Sequence, residues 1–242
     1  MPSLTNSAGG RAATPPNRSR PEARRIAGRL VGLVRPTAFA GAAAALVAVL
    51  GAAGAVTVHR GGGGPFDLDA ELTLPALASA ALLLCAAAAA GAAGFEDPAP
   101  RSWSWAFLAA LFTLMAVDEA TGLHEQLERS STVDWQTLYA PLVACAAVVW
   151  ALCMRRLDWI ERLAFAGGAL AWGAAQVLEA IEWTGPRESE RAVEGYGILM
   201  GAEELLEMTG SALFALAALV AARRWERARA TADGRSAAGG TA

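Results

Sequence analysis

Long apolar runs separated by short polar segments dominate this chain. Six runs have the length of about 20 mostly apolar residues that an α-helix needs to cross a hydrocarbon core roughly 30 Å thick. These runs cover approximately residues 36–58, 72–95, 103–127, 135–154, 160–183 and 195–222. The pattern predicts an all-α protein, a polytopic transmembrane helical bundle of about six spans.

The composition of the chain supports the same class. Hydrophobic residues make up 55% of the 242 residues and charged residues only 18%, which is too apolar for an ordinary soluble domain of this length. The lipid bilayer is therefore the expected partner, and the sequence indicates no particular protein partner. It shows no nucleic-acid surface, no nucleotide-binding motif and no catalytic Ser-His-Asp order.

The positions of the arginines predict how the spans are oriented. All 20 basic residues are arginine, and cytoplasmic loops of membrane proteins carry an excess of basic residues. With the N-terminus inside and six spans, 16 of these 20 arginines fall in cytoplasmic segments. Both termini are therefore expected in the cytoplasm, and the expected location is the plasma (inner) membrane of a bacterium.

The chain is expected to divide into three parts. Residues 1–35, rich in Pro, Ser, Gly and Arg, lack the apolar surface to fold and are expected to form a disordered cytoplasmic tail. Residues 36–222 are expected to form the transmembrane domain. Residues 223–242 are expected to form a basic cytoplasmic tail, whose composition from about Ala228 onward is similar to that of the N-terminal tail.

Ionisable residues interrupt the third apolar run. Asp118, Glu119, His124 and Glu125 lie close together there, and each ionisable group inside a bilayer costs at least a few kcal/mol. An intramembrane cluster of this kind is a functional hypothesis by default. On one continuous helix, Asp118 and Glu125 lie within about 20° of each other, whereas Glu119 points about 100° away from Asp118.

The fifth and sixth runs carry polar residues as well. In the fifth run, a spacing of three keeps three of them on one stripe: Gln176, Glu179 and Glu182. The sixth run contains Glu203, Glu204 and Glu207. Glu203 and Glu207 share a helix face at positions i and i+4. Because the third and fifth spans run outward and the sixth runs inward, all these groups are expected at similar depth in the outer half of the membrane.

This arrangement resembles that of uncharacterised bacterial multi-pass membrane proteins. The likeness covers the second half of the chain. It rests on one helix that contains an Asp-Glu pair and a His-Glu pair, and on a later helix that contains a Glu-Glu pair, a further Glu and a small residue. The matching residues are Asp118, Glu119, His124, Glu125, Glu203, Glu204, Glu207 and Gly210. The resemblance implies a membrane protein with an acidic cluster, and it carries no known activity.

Several carboxylates and one imidazole form a ligand set that is typical of divalent Mn, Fe or Zn in a helical bundle. The sequence therefore predicts a divalent-metal site, where the metal would activate water or take part in oxygen chemistry; whether the protein is an enzyme stays open. The candidate ligands are Asp118, His124, Glu125, Glu179, Glu203 and Glu207. The secondary candidates are Glu119, Gln176, Glu182 and Glu204.

Two alternatives to a metal site remain open. In a transporter, the same carboxylates would bind and release protons or cations. Against transport, the sequence shows no internal repeat, no pair of spans broken by Pro or Gly, and no acids in the cytoplasmic half of the bundle. In a purely structural role, the acids would be hydrogen-bond partners that hold the helices together near the outer interface.

Overall fold

The computed structural model describes residues 22, 26, 28, 29, 31–68, 70, 72–98, 103–130, 135–182 and 196–239. The regular secondary structure of these residues is entirely helical, which confirms the predicted all-α class. We label the seven helices from residue 36 onward in chain order: α1 (Pro36–His59), α2 (Leu74–Glu96), α3 (Trp103–Thr121), α4 (Leu123–Ser130), α5 (Trp135–Met154), α6 (Trp159–Glu182) and α7 (Tyr196–Gly239).

Six of these helices are long and apolar enough to cross a membrane, namely α1, α2, α3, α5, α6 and α7. Prolines occupy the first turn of α1 and of α2, at Pro36 and Pro75. A proline is favourable there because its ring fixes φ at a helical value and its missing N–H has no partner in the first turn. The six helices indicate a multi-pass membrane protein, as the sequence predicts.

The third predicted span is interrupted near its end. α3 ends at Thr121, and Gly122 has a φ of 56°, a left-handed conformation that glycine adopts without the steric cost of a Cβ. The chain then continues as the short helix α4. The expectation of one continuous helix over residues 103–127 was therefore wrong at Gly122, and the angular argument that placed Asp118 and Glu125 on one face does not apply.

Two helices, α7 and α2, form the centre of the bundle. α7 packs against α6, α2 and α1, and α2 also packs against α3. Glycines allow α6 and α7 to approach closely, since a Cβ added to Gly168 would lie 3.0 Å from the carbonyl oxygen of Gly210. Such contacts through small residues are typical of helix pairs in membranes. In contrast, α5 lies at the edge of the bundle, where it contacts α3 and α4.

α7 is much longer than the sixth predicted span. It comprises 44 residues, which corresponds to about 66 Å of helix, roughly twice the thickness of a hydrocarbon core. The helix continues through the arginines that follow residue 222 and ends at Gly239. The expected basic tail is therefore helical over most of its length. Its composition, which is similar to that of the N-terminal tail, had suggested disorder, and this expectation was wrong.

The last residues of the predicted N-terminal tail also pack against the bundle. Residues 31–33 are helical, and Val31 is buried in the core. The guanidinium of Arg223 donates hydrogen bonds to the backbone oxygens of Val31 and Gly32, at 2.9 and 2.6 Å. The expectation of disorder up to residue 35 is therefore wrong at this end, and residues 1–21 lie outside the described residues.

Buried acids at the end of the bundle where α2 ends and α6 begins are paired with arginines. The pairs are Glu96 with Arg229, Asp97 with Arg156 and Glu161 with Arg224. The nitrogen–oxygen distance is 2.8 Å in the second and third pairs. The predicted orientation assigns this end to the cytoplasmic half, which was expected to lack acids. These carboxylates flank the apolar runs, and each is paired with an arginine that follows it in the chain.

Candidate functional site: a carboxylate cluster between α3 and α7

One face of α3 runs along α7 in the opposite direction. Trp105 contacts Trp225 with ring centroids 5.8 Å apart, and Phe112 contacts Phe214 with centroids 5.0 Å apart. Trp105 and Phe112 are two helical turns apart, and two further turns along the same face lead to Glu119. Glu119, and not Asp118, therefore continues the buried stripe of α3 that meets α7.

The partners of Glu119 are two acids near the start of α7. One carboxylate oxygen from each of Glu119, Glu204 and Glu207 lies within 4.8 Å of the other two. Glu204 and Glu207 share a face of α7 because they are three residues apart. Glu119 and Glu204 are half-buried, and Glu207 is buried with 8% of its surface exposed. We call Glu119, Glu204 and Glu207 the carboxylate cluster.

Hydrogen bonds next to the cluster hold α7 against α6. The indole N–H of Trp172 donates to the hydroxyl of Ser211 at 3.1 Å, and this hydroxyl donates to the backbone oxygen of Glu207 at 2.7 Å. Gly210 provides the space for the indole, since a Cβ there would lie 2.5 Å from Cδ1 of Trp172. The backbone oxygen of Glu207 is thus held by the Ser211 hydroxyl, which does not involve the Glu207 carboxylate.

Negative charge is concentrated around Glu207. Besides the other two members of the cluster, the carboxylates of Glu203 and Glu179 are close enough to interact with it electrostatically. Among the described residues, no arginine or histidine forms an ion pair with Glu207. Carboxylates that share a site repel one another, and burial makes the negative charge of Glu207 costly. This arrangement therefore favours a bound cation or a proton.

Asp118 and His124 form a pair of their own. Oδ1 of Asp118 accepts a hydrogen bond from the backbone N–H of His124 at 2.8 Å, and Oδ2 lies 3.2 Å from Nδ1 of the same histidine. The imidazole packs on the indole of Trp135 with centroids 5.0 Å apart. Asp118 thus satisfies an N–H group in the first turn of α4, which would otherwise lack a helical partner, and it orients the imidazole.

The polar residues of α6 bind the start of α5. Trp135 donates its indole N–H to Oε1 of Glu179 at 3.0 Å, and the side-chain amide of Gln136 donates to the backbone oxygen of Gln176 at 3.4 Å. Glu179 is buried. Sequence reasoning missed the role of Trp135, because a tryptophan at the end of a predicted span is typical of the membrane interface.

The structure groups one predicted ligand, Glu207, with two secondary candidates, Glu119 and Glu204. The other described candidates lie elsewhere. Asp118 and His124 form their own pair, and Glu179 accepts a hydrogen bond from Trp135. Gln176 accepts a hydrogen bond from Gln136 through its backbone oxygen, and Glu203 is close enough to interact electrostatically with Glu207. The side chains of Glu125 and Glu182 lie outside the described residues. The six predicted ligands are therefore not shown as one set.

A comparison with known protein families found a match. A family profile described as "Domain of unknown function (DUF8692)" matches residues 38–222. The chain belongs to this family. The predicted membership of an uncharacterised family is thereby confirmed, and the DUF8692 match contains all three residues of the carboxylate cluster. No curated protein and no solved structure matches the chain.

Proposed function

We propose that this protein binds a divalent cation in the carboxylate cluster. The observation that carries the proposal is the convergence of three carboxylate oxygens, from Glu119, Glu204 and Glu207, within 4.8 Å of one another. A cation held by all three would replace their mutual repulsion with attraction. It would also join α3 to α7 at the end of the bundle where α7 begins.

The ligand atoms indicate which cations fit. All three are carboxylate oxygens, which suit the hard cations Mg²⁺, Ca²⁺ and Mn²⁺, whereas Zn²⁺ sites usually include imidazole or thiolate. Of the metals expected from the sequence, Mn²⁺ therefore fits the cluster best. A metal bound there would polarise a substrate oxygen or activate a water molecule, which is chemistry that a membrane enzyme can use.

The proposed position of the site is the outer half of a bacterial plasma membrane. The cluster lies at the opposite end of the bundle from the arginine pairs of Glu96, Asp97 and Glu161. Since basic residues favour the cytoplasmic side, the cluster would face the external solution and take its cation from there.

Proton binding by the same cluster is the second candidate, and the burial of Glu207 favours it. A buried glutamate surrounded by other carboxylates readily takes up a proton, as a proton-coupled transporter requires. However, the described buried acids at the other end of the bundle are paired with arginines. These pairs would not pass a proton on easily, so we place cation binding first.

Binding of Mn²⁺ to the detergent-purified, full-length protein tests the proposal, because electron paramagnetic resonance distinguishes bound from free Mn²⁺. We expect stoichiometric binding to the unmodified protein. Glu207→Gln and Glu119→Gln should each weaken Mn²⁺ binding by at least about tenfold, because each removes a charged ligand and keeps the side-chain size. Circular dichroism of each variant reports whether the helices are retained.

Two control variants separate ligation from the effect of net charge. Glu203→Gln removes the same charge from a residue outside the cluster, so a smaller loss of affinity is expected. Asp233→Asn changes an exposed carboxylate near the far end of α7 and should leave Mn²⁺ binding unchanged. If the unmodified protein binds Mn²⁺ no more tightly than Glu207→Gln does, the proposal is wrong, and proton flux in liposomes becomes the next measurement.

A further inference from the structure

A cavity of about 440 Å³ lies between α3, α5, α6 and α7. This volume is within the range of roughly 300 to 1,000 Å³ that is usual for small-molecule sites. Asp118 and Gln176 are the acidic and amide groups of its lining. The rest of the wall is mostly aliphatic and aromatic and includes Phe112, Trp135, Tyr139, Trp150, Trp172 and Phe214. The cavity is thus apolar along most of its length.

α5 contacts α6 near both of its ends, on either side of the cavity. Trp135 bonds to Glu179 near one end, and Trp150 packs on Phe165 near the other, with ring centroids 6.3 Å apart. Between these contacts, α5 contributes residues such as Val143, which is 61% exposed, to the cavity wall. α5 lies at the edge of the bundle, so in a membrane the exposed side of α5 would be next to lipid.

Asp118 and Gln176 form the polar end of the cavity, and their chemistry determines which polar group of a ligand would fit there. Oδ1 of Asp118 accepts a bond from the backbone N–H of His124, and Oδ2 lies 3.2 Å from Nδ1 of that residue; a carboxylate oxygen can accept more than one bond. The Asp118 side chain is 21% exposed. A hydroxyl or amino group could therefore donate to Asp118, whereas an anionic head group would be repelled by it. The amide of Gln176 offers a further donor and acceptor.

We propose that this cavity binds a membrane amphiphile, with its apolar chain between α5 and α6 and a neutral or cationic head group, bearing a hydroxyl or amine, at Asp118. This ligand site goes beyond the cation site and does not depend on it. The two sites share a hydrogen-bonded wall, since Trp172 of the cavity bonds to Ser211, which bonds to the backbone of Glu207. A bound amphiphile would therefore contact the same network that positions the cluster.

Native mass spectrometry of the full-length protein with three probes of equal chain length tests the head-group chemistry. The probes are monoolein, which is neutral and carries hydroxyl groups, oleylamine, which is cationic, and oleate, which is anionic. We expect stoichiometric retention of monoolein, oleylamine or both, and retention of oleate that is weaker by roughly tenfold or more. Retention of oleate equal to that of both other probes would overturn the assignment of the head group to Asp118.

Two cavity-filling variants test the position of the chain. Gly173→Leu enlarges a residue of the cavity wall at which an added Cβ would meet nothing within 4 Å, and Ala146→Leu fills the same cavity from α5. Gly91→Leu is the matched control, since a Cβ at Gly91 also meets nothing within 4 Å and the residue lies on α2, outside the cavity lining. Circular dichroism shows which variants keep their helices.

Both cavity variants should lose the retained amphiphile and keep Mn²⁺ binding, while Gly91→Leu keeps both. Undiminished retention in folded Gly173→Leu and folded Ala146→Leu would overturn the proposal, because the amphiphile would then bind only to the lipid-facing surface. If the unmodified protein retains monoolein but does not bind Mn²⁺, the cation site fails and the cavity proposal stands.

Discussion

Glu119 of α3 and Glu207 of α7 place their carboxylate oxygens within 4.8 Å of each other, although they belong to helices that run in opposite directions. Phe112, two turns before Glu119 on α3, contacts Phe214 of α7. A shift of α3 by one turn would move Glu119 by about 5.4 Å. The cluster therefore depends on the register that aromatic packing maintains between α3 and α7.

Cation binding by the cluster should weaken as the pH falls. Carboxylates must be deprotonated to bind a metal, so metal binding releases protons and proton binding competes with it. The dissociation constant for Mn²⁺ should therefore rise from mildly alkaline to mildly acidic solution, as measured by electron paramagnetic resonance. Glu207→Gln should show a shallower dependence on pH because one competing carboxylate is absent. An affinity for Mn²⁺ that does not change over this range would contradict ligation by glutamates.

Replacement of Gly210 by alanine should destabilise the contact between α6 and α7. A Cβ at Gly210 would lie 2.5 Å from Cδ1 of Trp172 and 3.0 Å from the backbone oxygen of Gly168, so the helices would have to move apart at a cost of roughly 1 to 3 kcal/mol. Thermal unfolding in detergent measures the effect. Gly91→Ala is the control, because it meets no atom within 4 Å. Equal unfolding temperatures for the two variants would disprove this close contact.

Replacement of Arg224 by methionine should destabilise the arginine end of the bundle. Two nitrogens of Arg224 donate to the two carboxylate oxygens of Glu161 at 2.8 Å, and the Glu161 side chain is only 2% exposed. Loss of one partner from a buried pair costs roughly 3 to 5 kcal/mol, and less where the arginine is partly exposed, as it is here. Thermal unfolding should show a clear decrease in stability.

The control for this change is Arg227→Met. Arg227 is exposed, and it forms no ion pair with the described residues, so its replacement should change stability by less than about 0.5 kcal/mol. The double variant Arg224→Met with Glu161→Met should recover part of the lost stability, because no unpaired charge stays buried. If Arg224→Met unfolds at the same temperature as Arg227→Met, the pair does not stabilise the bundle.

The predicted orientation can be tested with single cysteines. In a variant without Cys85, Cys145 and Cys153, Arg60→Cys and Asp233→Cys introduce thiols at exposed positions beyond opposite ends of the bundle. With both termini in the cytoplasm, a membrane-impermeant maleimide should label Arg60→Cys in intact cells and Asp233→Cys only after permeabilisation. The reverse labelling pattern would show that the protein has the opposite orientation, with the carboxylate cluster at the cytoplasmic face.

Some features of the site could be predicted from the sequence, and others could not. The spacing of Trp105, Phe112 and Glu119 by seven residues predicts one shared helix face, and this signal would have ranked Glu119 above Asp118. Gly122 followed by polar residues is similarly typical of a break in a helix. No local pattern, however, shows that Trp135 bonds to Glu179, because that contact joins two helices through side chains far apart in the chain.

The sequence by itself determined the six apolar helices, the all-α class and the presence of acids within the third, fifth and sixth spans, because the length and polarity of a span are local properties of the chain. The tertiary structure alone decided which acids meet. Grouping Glu119 with Glu204 and Glu207 requires the register between α3 and α7 and the close approach of α6 at Gly210. Both depend on how side chains of separate helices pack, which no single helix specifies.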